Sequence, residues 1–268
     1  MSTRFHKFIL FTLIYCGLCC GISSAVISAD ESPQKSEQTA LVQDAPKPEK
    51  QDSANQSQET REQRPLAQLK KVTVIIEGEV LQQQGIHEWS GKASQLVTEW
   101  FPKIDILLQS DGYVPPKEVT LIFRKMDGVA YTTGNVIHIS ADWIRRQPND
   151  FGMVAHELVH IIQSYPRHTG PGWVTEGIAD YIRHAHYEPD VKLPRINLDR
   201  ASYRDAYKTT AGFFIWIEKN YDQELVKKLN TAMRERTYKD DIFQNLTGKP
   251  LDDLWKEYAE TFGNFKRQ

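Results

Sequence analysis

The sequence predicts an α+β protein. β-branched runs bounded by turn residues fall before Asp150, whereas the pattern beyond it is helical almost throughout, and no internal repeat joins the halves. A small sheet followed by a mostly helical half accommodates both patterns. The 268 residues are 40% hydrophobic and 10% aromatic, which is enough for one well-packed core. A formal net charge of −2 leaves no electrostatic footprint for nucleic acid or an acidic membrane, and neither is expected as a partner.

The chain opens with Arg4 and Lys7 ahead of FILFTLIYCGLCCGISSAVISA, an apolar run with no charge before Asp30 and small residues near Ala25 and Ala29. A basic start, an apolar centre and a small-residue end predict a signal peptide over 1–29. The expected location is outside the cell or in the periplasm or cell envelope, with no membrane contact after cleavage. An uncleaved anchor is the competing reading of the same run. Cys16, Cys19 and Cys20 all lie in this leader, so the mature chain has no disulfide, thiolate ligand or cysteine nucleophile. Residues 30–65 are rich in Gln, Ser, Glu and Lys and carry no aromatic side chain. They offer too little apolar surface to offset the entropy of ordering and read as a disordered spacer. The folded domain is expected over 66–268.

Within that domain KKVTVIIEGEV reads as a strand, and Ser90 to Ser110 as an amphipathic helix carrying Trp100, Phe101, Ile104 and Leu107. KEVTLIFRK and NVIHIS read as further strands. Helices are expected over 150–165, 172–187, 201–220, 222–235 and 251–264.

VAHELVHIIQSY, Val154 to Tyr165, carries the chemistry. Four residues on an α-helix amount to about 400° of rotation, so His156 and His160 project from one face. Two neutral imidazoles there can hold one Zn²⁺, with Glu157 beside them to reach a metal-bound water. Val154, Leu158, Ile161 and Ile162 form the opposite stripe and face the core. A catalytic zinc needs a third protein ligand and one open position. GWVTEGIADYIRH supplies Glu176 and Asp180, again four apart, with Gly177 and Ala179 small enough for close helix approach. Glu176 is assigned as ligand, and Asp180 as the carboxylate that holds a ligand histidine by its other ring nitrogen. The exchanged assignment, with Asp180 as ligand, stays open. His168 falls in the Pro/Gly turn and is expected in solvent. His184 and His186 lie past the Glu176 face and read as a surface cluster. The pattern HExxHxxGxxH is absent, because Gln163 and Pro166 occupy its later positions.

VAHELVHIIQSY, GPGWVTEGIADYIRH, SYRDAYKTTAGFFIWIEKNY and LTGKPLDDLWKEY together resemble the basic secretory protein family of plants and bacteria, grouped among the zincin peptidases. The likeness runs from about Lys71 to Tyr258. It implies a zincin-like domain with one Zn²⁺, metal-dependent peptidase activity on a peptide or protein substrate, and secretion. The Glu…Asp pairing resembles the gluzincin branch, in which a glutamate is the third ligand. The resemblance also makes GVAYTTGNVIHIS an edge along which an extended substrate pairs, with no catalytic part for His138. The family is basic, whereas this chain is not.

The expected reaction is peptide-bond hydrolysis by a zinc-activated water, with Glu157 taking the proton and returning it to the leaving amine. Tyr207, with Tyr203 behind it, is the candidate donor to the oxyanion. Phe213, Phe214 and Trp216 read as core. The alternative is a noncatalytic, zinc-stabilised module that binds protein or glycan. Glu157 speaks against it, since a structural site uses four protein ligands and needs no base.

Overall fold

The computed structural model describes residues 71–193, 196 and 200–262. The expectations of a signal peptide over 1–29 and a spacer over 30–65 lie outside the described residues. Among the described residues no helix is long and apolar enough to cross a membrane.

Four strands form one sheet: β1 (Thr73–Glu77), β2 (Glu118–Arg124), β3 (Ala130–Thr133) and β4 (Val136–Ser140). Their spatial order is β1-β2-β4-β3, with β1, β2 and β4 parallel and β3 antiparallel on β4. The run from Val129 to Ser140 therefore folds as two strands, with β3 as the sheet edge beside β4.

Alternation along β2 and β4 turns Val119, Leu121, Phe123, Ile137 and Ile139 onto a face with no solvent exposure. Helices α1 (Ile86–Leu107) and α3 (Gly152–Gln163) cover that face. His138 points the other way and stacks on Tyr131 of β3, ring centroids 4.4 Å apart.

Helix α2 (Ala141–Arg146) links the sheet to α3, and α4 (Gly172–Ile182) packs beside α3. The remaining helices are α5 (Tyr207–Asn220), α6 (Leu225–Arg234), α7 (Asp241–Thr247) and α8 (Leu251–Glu260). The architecture is α+β, as the sequence predicts. Helices α2 and α7 are unanticipated, being too short for a helical period to declare itself.

Two expected helices change form part-way. The segment expected over 172–187 leaves α-helical geometry at Ile182 and ends in a π-helical turn, Arg183–Tyr187. The segment expected over 201–220 breaks into a 3₁₀ turn, Tyr203–Asp205, and then α5. At the break Ala206 and Tyr207 both take positive φ, 63° and 48°. Side chains rarely adopt that region, and such strain tends to cluster at functional sites.

Helix α3 is buried on nearly every side and held at both ends. At its start Trp89 stacks on Phe151 (centroids 4.7 Å), while Trp143 Nε1 and Arg183 Nη2 donate to Asp150 at 3.0 and 2.8 Å. Gly152 leaves room there for the Arg183 guanidinium, since a Cβ would come within 2.4 Å of Arg183 Nε. At its end Arg234 of α6 donates to the carbonyls of Ile162 (2.6 Å) and Gln163 (3.3 Å). The same guanidinium donates to Leu108 O and Ser110 Oγ, both at 2.6 Å, and lies 3.5 Å over the Tyr113 ring. One cation thus closes the C-terminal ends of α1 and α3, where the carbonyls are unsatisfied and the helix dipole is negative.

Helices α4 and α5 approach closely, as the small residues of α4 predict. A Cβ on Gly177 would lie 2.3 Å from Thr210 Cγ2. Phe213 and Phe214 of α5 are fully buried, as expected of core, and Trp216 packs against them.

Arg234→Ala leaves the carbonyls of Ile162 and Gln163 unpaired at once. It should destabilise the fold by roughly 3 kcal/mol, read as a lower urea midpoint at unchanged slope.

Candidate metal centre

His156, Glu157 and His160 lie on α3, and Glu176 and Asp180 on α4. Each four-residue spacing puts its pair on one helical face, and the α3–α4 packing turns the two faces together. The reversal between the helices starts at Ser164, which makes the last helical bond to His160 O at 3.1 Å and then takes a left-handed backbone (φ 40°).

Three ligand-type atoms converge. His156 Nε2 lies 3.1 Å from His160 Nε2 and 3.2 Å from Glu176 Oε2, and His160 Nε2 lies 3.4 Å from the same oxygen. The hydrogen bonds on the far sides of the rings decide what those atoms carry. His156 Nδ1 donates to Asp180 Oδ1 at 2.7 Å, since a carboxylate only accepts. Gln163 Nε2 donates to Thr175 O at 2.9 Å, which turns its carbonyl oxygen to His160, and His160 Nδ1 donates to it at 2.8 Å. With Nδ1 protonated in both neutral rings, both Nε2 atoms present lone pairs, and so does Glu176 Oε2.

Three lone pairs at this range repel unless a positive charge lies among them. Tetrahedral zinc with bonds of about 2.0–2.1 Å holds its ligands roughly 3.3–3.4 Å apart, close to the observed triangle. His156, His160 and Glu176 thus have the chemistry and spacing to hold a metal ion.

Electrostatics express the same demand. Burial pushes the His156 pKa down, but its hydrogen bonds to Asp180 and Glu176 outweigh this and hold it up at about 9. Burial pushes Glu176 up, but the two imidazoles outweigh it and hold the carboxylate down at about 2. In the absence of a metal, a proton serves as the charge.

Glu157 is 8% exposed and lines the same cavity. Thr132 of β3 donates its hydroxyl to Glu157 Oε2 at 2.7 Å, and Oε1 makes no hydrogen bond among the described residues. Tyr207 lines the cavity with its ring 6.0 Å from that of His156 and nearly parallel to it (21°). Burial and then the carboxylates of Glu176, Asp180 and Glu157 push its pKa up, so the phenol stays protonated and can donate.

The cavity holds about 1050 Å³ and is bounded on one side by Val129–Thr132 at the sheet edge. Edge strand, histidine pair and Tyr207 therefore share one space.

Other sequence candidates lie elsewhere. Tyr203, the second candidate donor, does not reach the cavity: its ring is buried and its hydroxyl donates to Asp252 Oδ1 at 2.8 Å. His168 is exposed, as expected, and borders the cavity. His184 is no surface residue. It is 4% exposed, because the π-helical turn continues the Glu176–Asp180 face inward. His186 is half-buried, edge-on to Tyr181.

Gln163 and Thr132 are the site residues that the sequence reading missed. Gln163 stands three residues after His160 and so on the same face, and Thr132 alternates with Tyr131 along β3.

Fold and site define an α+β protein with a His–His–Glu cluster of metal-binding type beside an open sheet edge. Residues 84–258, more than half of the chain, match a family model described as "Peptidase of plants and bacteria". The chain belongs to this family, in agreement with its motifs, and the family's description is that of a peptidase. Neither the curated proteins nor the solved structures contain a match.

Gln163→Leu removes the acceptor that fixes the His160 tautomer. Metal affinity, probed with added Zn²⁺ in competition with a chromogenic chelator, should fall about 10–100-fold at unchanged helix content by circular dichroism.

Proposed function

We propose that the chain is a secreted zinc peptidase that hydrolyses peptide bonds, with His156, His160 and Glu176 as ligands and Glu157 as general base. The observation that carries this reading is the triangle of three lone-pair atoms 3.1–3.4 Å apart, with Glu157 in the same cavity. Zinc held there supplies Lewis acidity, making a water more acidic and polarising the scissile carbonyl.

The chain's own groups do the rest. Asp180 and Gln163 fix the tautomers and orientations of the two imidazoles. Glu157 accepts the water's proton on Oε1, while Thr132 holds Oε2, and then passes the proton to the departing amine nitrogen. The Tyr207 hydroxyl donates to the carbonyl oxygen as charge grows on it. Its strained backbone at the start of α5 aims the ring toward His156. The free edge of β3 pairs with an extended substrate backbone, which places the scissile bond between the edge strand and α3. Secretion is supported by the basic–apolar–small pattern of the leader.

The test is digestion of a mixed peptide library by zinc-loaded protein, read by mass spectrometry, with Glu157→Gln as the paired control. Wild type should cleave, and the variant should be slower by about 10²–10⁴-fold while still binding zinc. Equal cleavage by both would remove Glu157 as the base. Silence of both, with zinc bound, would favour the noncatalytic binding module.

A further inference from the structure

His184 is a buried histidine that the proposed reaction leaves unused. It follows Asp180 by four residues, as Asp180 follows Glu176, so the three form one stripe along α4 and its π-helical end. It is 4% exposed, and neither ring nitrogen has a hydrogen-bond partner. Burying such unpaired polar atoms costs about 1–3 kcal/mol per group, a cost that a leucine or phenylalanine at the same place would avoid. An orphan of this kind calls for a reason.

Its neighbour Asp180 keeps one carboxylate oxygen free to accept. Asp180 is 4% exposed and accepts from His156 through Oδ1, but Oδ2 makes no hydrogen bond among the described residues. His184 Nε2 lies 3.9 Å from that oxygen, about 1 Å beyond hydrogen-bond length. A small rotation of ring or carboxylate closes the gap. The turn that carries His184 is anchored independently of it. Glu188 N donates to Arg183 O at 2.7 Å, and the Arg183 side chain is held by Glu188 and Asp150. Burial pushes the His184 pKa down, so the ring is neutral and has one N–H to give.

We propose that His184 is a positioning residue for the metal centre: its Nε2–H donates to Asp180 Oδ2 and locks the carboxylate in the orientation in which Oδ1 accepts from His156. The line His184–Asp180–His156 then presents the lone pair of His156 Nε2 in a fixed direction. An unlocked Asp180 could rotate about its own bond and leave the imidazole free to turn. His184 thus acts on metal affinity through Asp180. This inference rests on the reading of His156 as a ligand.

The test compares the full chain with His184→Leu and His184→Gln, by chelator competition for zinc and by thermal melting of the zinc-free proteins. Leucine fills the space without a donor, whereas the glutamine amide nitrogen can reach the place of Nε2. His184→Leu should bind zinc about tenfold more weakly, yet melt no lower than wild type when zinc-free. His184→Gln should stay within about threefold of wild-type affinity.

Wild-type affinity in folded His184→Leu, or equal losses in both variants, would overturn the inference. A measurement on the wild type covers the case in which the leucine variant fails to fold. Long-range ¹H–¹⁵N NMR of the zinc-loaded protein should show His184 as the Nε2-protonated tautomer, and the Nδ1-protonated tautomer would overturn the inference. If wild type binds no zinc, the ligand reading itself falls. If it binds zinc and the leucine variant binds it equally well, only the part given to His184 falls.

Discussion

Three lone-pair atoms within 3.4 Å of one another form the constraint on which this structure turns. Neutral imidazole nitrogens and a carboxylate oxygen repel at that range unless a positive charge lies between them. The protein nevertheless takes trouble to aim them. Asp180 and Gln163 draw the ring protons to the far sides, and α3 and α4 bring two four-residue stripes face to face. The raised pKa of His156 and the depressed pKa of Glu176 are the electrostatic consequence of the same arrangement.

Holding that triangle requires that α3 neither slide nor rotate. Its start is clamped by the Trp89–Phe151 stack and the Arg183–Asp150 ion pair, and its end by the Arg234 guanidinium. Arg183 belongs to the turn that follows α4, so one side chain links the ends of both ligand-bearing helices. The close α4–α5 contact at Gly177 puts the start of α5, and with it Tyr207, beside the same cavity. The fold is therefore read most economically as a mount for a few atoms on α3 and α4, with the edge strand supplied alongside by the sheet.

What the sequence made legible followed periodicity. His156 with His160, and Glu176 with Asp180, are visible because four residues return to one helical face, and the apolar stripe opposite Glu157 shows which face is core. The membership of the peptidase family was legible from motifs on these same helices, and the family match over 84–258 agrees. What stayed hidden depended on three-dimensional neighbours. Ala206 and Tyr207 carry no turn signature, so the helix expected over 201–220 gave no warning of its break. Tyr203, the second candidate donor, is turned away by the same break, and its hydroxyl goes to Asp252. Thr132 lies far from Glu157 in sequence and meets it only because β3 is the edge strand nearest α3. His184 was misplaced at the surface, since a π-helical turn extends the buried face further than an ordinary helix end would.

The central claim is that His156, His160 and Glu176 hold one zinc ion while Asp180 stands behind His156. It is tested most directly by crystallising the full chain with zinc and collecting anomalous diffraction on both sides of the zinc absorption edge. The account predicts one strong peak per chain, about 2 Å from Nε2 of each histidine and from a Glu176 oxygen, with Asp180 still bonded to His156 Nδ1. A peak ligated by Asp180 in place of Glu176 would contradict the assignment. The absence of any zinc peak between α3 and α4 would contradict the account as a whole.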